Sequence, residues 1–245
     1  AEERFSKILS IIEEAGSVTV QDLMEELGAS ESTIRRDLNT MDANGLLVKV
    51  FGGAVAKNTN IRTQDENVDN RKLQNIEEKV AIAKYAASLI QSGDFVYIDA
   101  GTSTELVIDY IKVANVTFVT NSLTHAKKLS DKGYTVYILG GEFKSTTEAI
   151  VGEEAVETLD KYNFTKGFWG TNGVNITKGF TTPEVKEAMV KKKSMENCKE
   201  RYVLADSSKF SQISSVKFSE FENATIITTE LRNASYKKYK NIKEV

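Results

Sequence analysis

Apolar residues recur at helical spacing near the start of the chain and gather into short β-rich runs farther along. In residues 5–15 the apolar positions fall three or four apart, which predicts an amphipathic helix. A second helix is predicted to begin at Thr19, because Asp22 three residues later gives a capping-box-like start, and to end at Gly28. The apolar face of the first helix holds Phe5, Ile8, Leu9 and Ile12.

A third helix follows the second after a very short turn. Gly28 can adopt a left-handed C-cap and Ser30 can cap the next helix, so the two helices must lie close together at a steep angle. Ile34, Leu38 and Met41 recur every three or four residues and form the buried face. This spacing predicts a helix-turn-helix. The side chains predicted to point away from the core are Ser32, Thr33, Arg35, Arg36 and Asn39.

The outward face of the third helix carries the residue types that read DNA in the major groove. Arg can bond a guanine edge through two hydrogen bonds, Asn an adenine edge, and Ser or Thr a base or a phosphate. A solvated surface helix in a small helical domain is the alternative. Two β-prone runs around Gly52 and Gly53 favour DNA binding, because they predict a hairpin wing after the helix pair. The predicted DNA-binding residues are Ser30, Ser32, Thr33, Arg35, Arg36, Asn39 and Lys49.

The sequence changes character twice beyond the wing. Residues 58–75 lack clustered apolar positions and are rich in Asn, Asp, Gln and Arg, which predicts a linker or loosely packed connector. From Ile76 onward helical patterns alternate with β-rich runs, which is typical of a mostly parallel α/β sheet covered on both faces. We therefore predict a winged helix-turn-helix over 1–57, a linker over 58–75 and an α/β domain over 76–245. The basic, aromatic tail from Tyr236 is predicted to be a solvated terminus.

The predicted boundaries within the α/β domain follow from the same alternation. The predicted helices are 76–91, 104–111, 123–130, 148–161 and 183–199. The predicted strands are 95–99, 116–120, 135–139, 167–170, 202–205 and 225–228.

Small and polar residues follow five successive predicted strands. The carboxyl ends of strands in an open α/β sheet form the ligand crevice, so these loops should converge on one site. Gly101–Thr104 is the strongest local signal, because helix N–H groups and three hydroxyls can hold a phosphate there. The loop is neither a P-loop nor a dinucleotide fingerprint, which favours a small phosphate ester over a nucleotide. Ordinary strand-end turns are the alternative for any single loop. The five stretches are 99–104, 120–122, 140–141, 170–173 and 206–209.

Several of these stretches resemble the DeoR family of bacterial transcriptional regulators. The DNA-binding signature of that family is similar to residues 30–38, Gly45-Leu46 and Gly52-Gly53-Ala54, and the resemblance continues through most of the chain. Family members often carry Arg before the glycine pair of the wing, where the nearby base here is Lys49. Within the family, residues 49–53 and 179–183 look most like repressors of fructose or related sugar-phosphotransferase operons.

The resemblance implies a sensor domain that is similar to ribose-5-phosphate isomerase and binds a phosphorylated sugar, with fructose 1-phosphate the first ester expected. It places the phosphate on Gly101–Thr104 and makes Lys79 a helper cation. No cofactor is expected. The predicted effector-binding residues are Lys79, Asp99, Gly101, Thr102, Ser103, Thr104, Asn121, Gly141, Asn172, Glu187, Asp206 and Lys209.

A sugar-phosphate isomerase with an accessory DNA-binding head is the alternative function. Isomerisation needs a carboxylate base beside the substrate carbon and a cation for the developing enediolate, roles that Asp99, Asp206 and Lys209 could fill. The isomerase fold has an acid where this chain has Asn172, which cannot accept a proton. We therefore expect a regulator and not an enzyme. His125, the only histidine, is expected to be a packing or rim residue.

Composition narrows the class of protein further. The chain has 245 residues and 40% hydrophobic content, which is ordinary for a globular protein. The single cysteine excludes an internal disulfide framework and favours a reducing compartment. The sequence contains no run of about 18 apolar residues and no Cys/His cluster, so we expect a cytoplasmic protein with no membrane span and no metal site.

Charge bears on how the head would bind DNA. The net charge is −3, and residues 1–57 contain 6 Lys and Arg against 10 Asp and Glu. A head with this balance makes few phosphate contacts, so we expect a homo-oligomer, a dimer or a tetramer, that places more than one head on an operator. The basic residues of the predicted DNA-binding side and its exit are Arg35, Arg36, Lys49 and Lys57.

Overall fold

The N-terminal head is a winged helix-turn-helix, as the sequence predicted. The computed structural model describes residues 2–57, 61–231 and 234–245. The elements of the head are α1 (Glu2–Ala15), β1 (Ser17–Thr19), α2 (Val20–Leu27), α3 (Glu31–Ala43), β2 (Leu47–Val50) and β3 (Gly53–Ala56). The hairpin β2–β3 is the wing, and β1, which the sequence did not predict, pairs with β3 to give the antiparallel order β1-β3-β2.

Local sequence signals account for the helix ends. Thr19 Oγ1 accepts from Asp22 N at 3.1 Å and Thr19 N donates to the Asp22 carboxylate at 3.3 Å, which confirms the capping box at the start of α2. Gly28 ends α2 in the left-handed conformation with φ 59°, and Ser30 caps α3 by accepting from Thr33 N at 3.4 Å. The turn therefore fixes the angle between the two helices.

The buried face of α3 anchors the head. Ile34, Leu38 and Met41 are fully buried, as the spacing predicted. The Arg4 guanidinium forms an ion pair with the carboxylate of Asp37, with one hydrogen bond of 3.0 Å, and so ties α1 to α3.

The wing approaches β1 so closely that one position must be glycine. A Cβ atom on Gly53 would lie 2.1 Å from the carbonyl oxygen of Val18, which is less than any real contact. The Gly52-Gly53 pair that signalled the hairpin thus also permits the third strand of this sheet.

Residues 61–75 form a connecting segment between the head and the sheet domain. It contains β4 (Ile61–Arg62), which pairs in parallel with residues 213–214, and α4 (Val68–Leu73). The main-chain N of Val68 donates to the carbonyl oxygen of Thr146 at 3.3 Å. The prediction of a loosely packed connector was wrong for these residues, because they are hydrogen-bonded to the sheet domain. Residues 58–60 of the predicted linker lie outside the described part of the chain.

The second domain alternates helices and strands. Its helices are α5 (Ile76–Ser88), α6 (Thr102–Tyr110), α7 (Leu123–Asp131), α8 (Glu153–Leu159) and α9 (Val185–Glu196). Its strands are β5 (Phe95–Ile98), β6 (Thr117–Thr120), β7 (Thr135–Ile138), β8 (Glu142–Lys144), β9 (Ala149–Val151), β10 (Phe164–Gly170), β11 (Gly173–Asn175), β12 (Gly179–Thr182), β13 (Cys198–Leu204), β14 (Ile213–Ser214), β15 (Val216–Ser219), β16 (Thr225–Thr228) and β17 (Ile242–Glu244).

Seven of these strands form the central sheet of the described residues, in the order β17-β16-β13-β10-β5-β6-β7. All neighbouring pairs are parallel, and apolar clusters cover both faces, which confirms the predicted fold class. The chain builds outward from β5 to β7 and then returns to place β10 on the other side of β5. The loops after β5 and β10 therefore diverge at a topological switch point, the usual ligand position in such sheets.

Three features of the sheet domain differ from the predictions. The helix predicted over 148–161 is shorter, because β8 and β9 form a hairpin before α8 begins at Glu153. A small sheet in the order β11-β12-β15 was not predicted. The C-terminal tail is not a solvated terminus: Tyr236 is fully buried and β17 joins the central sheet beside β16.

The tail and the loop before β14 hold the head against the sheet domain. Asp22 on α2 forms an ion pair with Lys238 and accepts from Tyr239 Oη at 3.0 Å. Ser211 Oγ donates to the carbonyl oxygen of Ala15. The head thus contacts the sheet domain on the side of α1 and α2, and the outward face of α3 stays exposed.

Candidate functional site

The outer face of α3 carries the two arginines predicted to read DNA. Arg35 and Arg36 are both exposed. Arg35 Nε donates to Glu31 Oε1 at 2.7 Å, an ion pair within one turn of the same helix. No side-chain partner of Arg36 is found among the described residues. The two guanidinium groups are therefore available to a partner, because an exposed pair of this kind contributes only about 0.3–0.5 kcal/mol.

The wing reaches the same surface. Lys49 Nζ on β2 donates to Asn39 Oδ1 on α3, and the main-chain N of Lys49 donates to the carboxylate of Asp42 at 3.2 Å. At the start of α3, Ser30 Oγ lies 2.9 Å from Thr33 Oγ1 and 3.1 Å from Ser32 Oγ. The structure thus places all the predicted DNA-binding residues on α3, its cap and the adjoining wing.

A pocket lies at the switch point between β5 and β10. It encloses about 530 Å³, counting the space that is open to solvent. The loop after β5 and the first residues of α6 contribute residues 100–103, and the end of β10 with the loop after it contributes residues 170–172. The other lining residues are Arg71, Lys79, Thr147, Glu187, Lys191, Leu204 and Lys209.

One end of the pocket combines cations with a helix N-terminus. Helix α6 begins at Thr102, and Gly101 before it supplies no side-chain cap, so the first turn leaves main-chain N–H groups for a ligand. Lys79 Nζ on α5 donates to Thr102 Oγ1 at 3.1 Å and to the carbonyl oxygen of Arg71. These contacts bring an ammonium, a guanidinium-bearing helix and the predicted phosphate loop together.

The cations at this end destabilise one another's charge. Burial lowers the pKa of Lys79 to about 8; the carboxylate of Asp206 opposes this shift, and the charges of Lys209 and Arg71 add to it. Burial also lowers the pKa of Lys209, again with Asp206 opposing. Arg71 Nε is buried without a hydrogen-bond partner. An anion bound here would satisfy that donor and favour the charged form of both lysines.

The other end of the pocket is built from hydrogen-bonded polar groups. Glu187 accepts from Thr147 Oγ1 and lies 3.4 Å from Lys144 Nζ. Lys144 also pairs with Asp65 at 2.7 Å, and Asn172 Nδ2 lies 3.5 Å from the same carboxylate. Acceptors and donors of this kind suit hydroxyl groups and disfavour a second phosphate beside Glu187.

A buried ion pair joins the two strands beneath the pocket. Asp99 at the end of β5 pairs with Lys191 of α9 and accepts from Gly170 N at 3.3 Å at the end of β10. Lys191 Nζ also donates to the carbonyl oxygen of Gly170 at 3.1 Å. The predicted effector residue Asp99 therefore positions Lys191 and the loop after β10, and does not itself line the pocket.

Both domains match models of known protein families. Residues 4–60 match the DeoR-like helix-turn-helix domain, and residues 74–230 match the DeoR C terminal sensor domain. The chain belongs to the DeoR family of transcriptional regulators. This confirms the family that the sequence resembles.

Curated relatives from two bacteria align along almost the whole chain. "Uncharacterized HTH-type transcriptional regulator FruR" of Bacillus subtilis (strain 168) is 42% identical over 238 residues, 97% of this chain and 94% of the relative. "Lactose phosphotransferase system repressor" of Streptococcus mutans serotype c (strain ATCC 700610 / UA159) is 32% identical over 235 residues, 95% of this chain and 93% of the relative. Both relatives are named as regulators and not as enzymes, in agreement with the expectation that this chain is a regulator.

Solved structures that resemble the chain do so at low identity. Ribose 5-phosphate isomerase A from Methanocaldococcus jannaschii aligns with 56% of this chain and 55% of its own, with 18% identity and a TM-score of 0.41. The sorbitol operon regulator SorC from Klebsiella pneumoniae aligns with 85% of this chain and 91% of its own, with 11% identity and a TM-score of 0.40.

Seven predicted effector residues line that pocket, and the others do not. Thr104 is buried behind it and donates to the carbonyl oxygen of Gly101 at 2.9 Å. Asn121 is also buried, and its amide bridges Ala100 N at 2.8 Å and the carbonyl oxygen of Ile150 at 3.2 Å. These two residues hold the loop after β5 in place. The residues that line the pocket are Lys79, Gly101, Thr102, Ser103, Asn172, Glu187 and Lys209.

Two more predicted residues lie outside the pocket lining. Asp206 accepts from Asn75 Nδ2 at 3.0 Å and from Ser208, and so shapes the turn that carries Lys209. Gly141 borders a separate surface hollow, and a Cβ atom there would lie 2.6 Å from the carbonyl oxygen of Val151. Gly141 therefore allows the main chain before β8 to lie close to Val151 of β9, and it does not line the switch-point pocket.

The only histidine of the sequence is buried beside the start of α6. His125 Nε2 lies 3.1 Å from Thr104 Oγ1. Burial lowers the pKa of His125 to about 3, so the ring is neutral at physiological pH. His125 packs behind α6 and does not line the pocket.

Sequence reasoning missed several pocket residues, most notably Arg71 and Lys191. Both lie inside helices and away from any strand end, so the rule that identified the loops could not find them. The ion pair of Lys191 with Asp99 joins residues 92 positions apart, which no local pattern predicts. Arg71 carried a weak signal, because it is a basic residue in a segment otherwise interpreted as a linker. Thr147 and Leu204 were not predicted either, whereas Ala100, Gly170 and Thr171 lie in the predicted loop stretches 99–104 and 170–173 without having been named as effector-binding residues.

Two other kinds of site are absent from the described part of the chain. Residues 2–57, 61–231 and 234–245 contain no group of three or more His, Cys, Asp or Glu side chains that could hold a metal ion. None of the helices in these ranges is long and apolar enough to cross a membrane.

Proposed function

We propose that this DeoR-family regulator represses a sugar-utilisation operon and that a phosphorylated sugar bound at the switch-point pocket relieves the repression. We further propose the division into a DNA-binding head over 1–57, a connection over 58–75 and a sensor over 76–245. The observation that carries the proposal is the cationic end of the pocket. There Lys79, Lys209 and Arg71, whose Nε has no hydrogen-bond partner, line the same pocket as the first turn of α6, an arrangement that suits a phosphate.

The first ester that we propose is fructose 1-phosphate. Two features support a sugar monophosphate: Lys79, Lys209 and Arg71 line the pocket close enough to affect one another's charge, and Asn172 and Glu187 in the same pocket suit hydroxyl groups. The names of the relatives, FruR and lactose phosphotransferase system repressor, support the proposal that this regulator controls a sugar-utilisation operon. We propose that the side chains on the outward face of α3 and Lys49 of the wing read the operator.

A binding panel tests the effector. We expect saturable binding of fructose 1-phosphate by calorimetry, weak binding of inorganic phosphate and no binding of free fructose, which lacks the anion. At about 100 times its Kd the ester should stabilise the fold by about 2.7 kcal/mol and raise the Tm. It should also release the protein from DNA fragments selected in vitro for binding. If no sugar phosphate bound, or if a bound ester left DNA affinity unchanged, the proposal would be wrong.

The pocket should bind sugar phosphates without converting them. Aldose–ketose isomerisation needs a base that takes a proton from the substrate carbon, and Asn172 cannot serve. The carboxylate that does line the pocket, Glu187, already accepts from Thr147 and lies near Lys144, an arrangement suited to holding hydroxyl groups. Incubation with ribose 5-phosphate, fructose 1-phosphate or tagatose 6-phosphate should therefore give no isomer detectable by chromatography. Turnover that disappeared in Asp206→Asn or Lys209→Gln would show instead that the pocket is catalytic.

The acidic head leads to an expectation about assembly. A single head with net negative charge has few phosphate contacts, so we propose a dimer or tetramer, assembled through the sensor domain, that places two heads on repeated half-sites. Light scattering should give a mass at least twice 27.2 kDa. A stable monomer that bound its operator tightly would contradict this.

A further inference from the structure

We propose that the sensor domain itself contacts operator DNA: Lys178 and Lys217 bind the phosphate backbone beside the base pairs that α3 reads. The inference rests on the proposed function in taking α3 and the wing as the DNA-reading surface, and it adds a second DNA-binding surface. That surface borders the wing-side hollow, a space between the wing and the small sheet β11-β12-β15. The lining of the wing-side hollow includes Val50, Phe51, Ile61, Lys178, Ser215 and Lys217.

The wing-side hollow adjoins the surface that we propose reads the operator. Lys49 of the wing bonds Asn39 on α3, and the next two residues, Val50 and Phe51, line the hollow. Phe51 at the tip of the wing is fully exposed. A duplex seated on α3 and the wing extends beyond the base pairs that are read, so its flank passes the mouth of the hollow. The sensor residues there are the next that its backbone meets.

The charge of the hollow suits a phosphate backbone. It encloses about 870 Å³, counting the space that is open to solvent. Lys178 and Lys217 line it, and among the described residues no Asp or Glu side chain does. Duplex DNA carries one negative charge per about 1.7 Å of its axis, and lysines that neutralise phosphates release bound counterions. The lining therefore complements DNA in charge.

The main chain of Lys178 is held at the turn between β11 and β12. Asn175 Oδ1 accepts from the main-chain N of Thr177 at 3.0 Å and from that of Lys178 at 2.9 Å, and Gly179 follows with φ 68°. Within residues 2–57, 61–231 and 234–245, the Lys178 ammonium has no hydrogen-bond or ion-pair partner. The turn thus fixes the position of Lys178 and leaves its charge for a partner.

Lys217 lies beside this turn on the next strand of the small sheet. It is opposite Thr181 of β12 in the pairing of β12 with β15. Its ammonium pairs with Glu220, and both side chains are about half exposed. Exposed pairs of this kind are weak, so a phosphate can take the place of the carboxylate.

The acidic head gives this second surface a physical role. Residues 1–57 contain 6 Lys and Arg against 10 Asp and Glu, so the head alone makes few phosphate contacts. Two lysines from the sensor domain would add phosphate contacts without changing which bases are read, because phosphates carry no sequence information. The sensor domain would thus raise affinity, and α3 would set specificity.

The head and the sensor domain are joined closely enough to bind one duplex together. Asp22 of α2 pairs with Lys238, and Ser211 Oγ donates to the carbonyl oxygen of Ala15. A Cβ atom on Gly16 would lie 2.8 Å from the Cβ of Ser211, which shows that the two main chains are in contact. The wing tip and the β11–β12 turn therefore keep a fixed spacing.

The salt dependence of binding tests the contact. Fluorescence anisotropy follows a duplex selected in vitro, with extra flanking base pairs, between about 50 and 200 mM salt. Lys178→Gln and Lys217→Gln should each lower the slope of log Kd against log salt by about 1, and the double variant by about 2. At about 100 mM salt each single variant should bind about 3- to 10-fold more weakly. Random DNA should show the same loss, unlike the loss expected for Arg36→Ala.

Two further variants serve as controls. Lys127 is an exposed lysine of α7 that pairs with Asp131 and lies outside the hollow, so Lys127→Gln removes the same charge elsewhere on the sensor domain. It should keep the slope of the parent. Lys178→Arg should also keep that slope, because it preserves the charge that meets the phosphate.

A crosslink locates the contact. A photocrosslinking amino acid in place of Ser215, an exposed residue of the hollow, should join the flank of the bound duplex on irradiation. A crosslink to a second copy of the chain alone would show that the hollow is an oligomer contact, and the proposal would be wrong.

The outcomes separate this inference from the proposed function. If the parent protein bound no duplex selectively, both would be overturned. If it did, but Lys178→Gln, Lys217→Gln and the double variant kept its salt slope, only the contact by the sensor domain would be overturned. An equal change in Lys127→Gln would overturn it too, because net charge would explain the effect.

Binding of the ester gives an independent readout. Neither Lys178 nor Lys217 lines the switch-point pocket, so calorimetry should show the affinity of both glutamine variants for fructose 1-phosphate within about 2-fold of the parent. A larger loss would show that the substitutions act through the effector pocket, and it would contradict a contact made only with DNA.

Discussion

Replacing Arg36 with alanine should weaken binding to operator DNA by about 1–3 kcal/mol, or roughly 5- to 150-fold, if the guanidinium reads a guanine edge. The side chain is exposed on α3 and makes no contact in the core, so the fold should be unaffected. Arg35→Ala should behave similarly. The ion pair of Arg35 with Glu31 is exposed and weak, so the guanidinium can leave it to contact DNA. Binding to random DNA should change less, so discrimination should fall.

A matched control distinguishes recognition of a base by the arginines from a nonspecific effect of positive charge on the head. Lys7 is an exposed base on α1 whose only described pairing is with Glu3 at 3.5 Å, and Lys7→Ala removes the same charge from the head. Fluorescence anisotropy at several salt concentrations should show operator binding of this control close to that of the parent. If both arginine variants bound operator as well as the parent, α3 would not be the recognition helix.

The sequence predicted the head well because its signals are local. The capping box at Thr19, the left-handed Gly28 and the spacing of Ile34 and Leu38 all act within one or two helical turns, and each is found in the structure. Strand β1 was missed because three residues between helices have no periodicity to detect. Its presence depends on a close approach at Gly53, which only the folded chain shows.

Part of the pocket was predictable because it is formed by loops whose position follows from the sheet. Loops after parallel strands converge by the geometry of the sheet, so Gly101 and Asn172 could be expected at one site. Arg71 reaches the same place from a helix that precedes the sheet, and Lys191 reaches it from α9. Both depend on tertiary packing, which local patterns do not encode. Tyr236 in the tail is a similar case, since its burial depends on aromatic partners that lie far away in the sequence.

Substituting Thr102 with valine should produce a repressor that ignores its effector. The change keeps the shape of the side chain but removes a hydroxyl at the first turn of α6, where Lys79 Nζ donates to it at 3.1 Å. Loss of one partner of a buried charged group should weaken binding of fructose 1-phosphate by about 1–3 kcal/mol. Ser103→Val, at the neighbouring pocket position, should act in the same direction. In a reporter strain both variants should keep the operon repressed when the sugar is supplied.

The control for this prediction is Thr135→Val on the exposed edge strand β7, which lies outside the pocket. It makes the same change of side chain as Thr102→Val, so it should bind the ester and release DNA like the parent. DNA affinity without the ester should be the same in all of these variants, because neither α6 nor β7 belongs to the DNA-reading surface of the head. Equal ester affinity of the parent and both pocket variants would contradict the assignment of the phosphate to the start of α6. Loss of DNA binding in the absence of ester would indicate instead that the substitutions disturb the fold, since a hydroxyl that only holds an anion matters only when the anion is present.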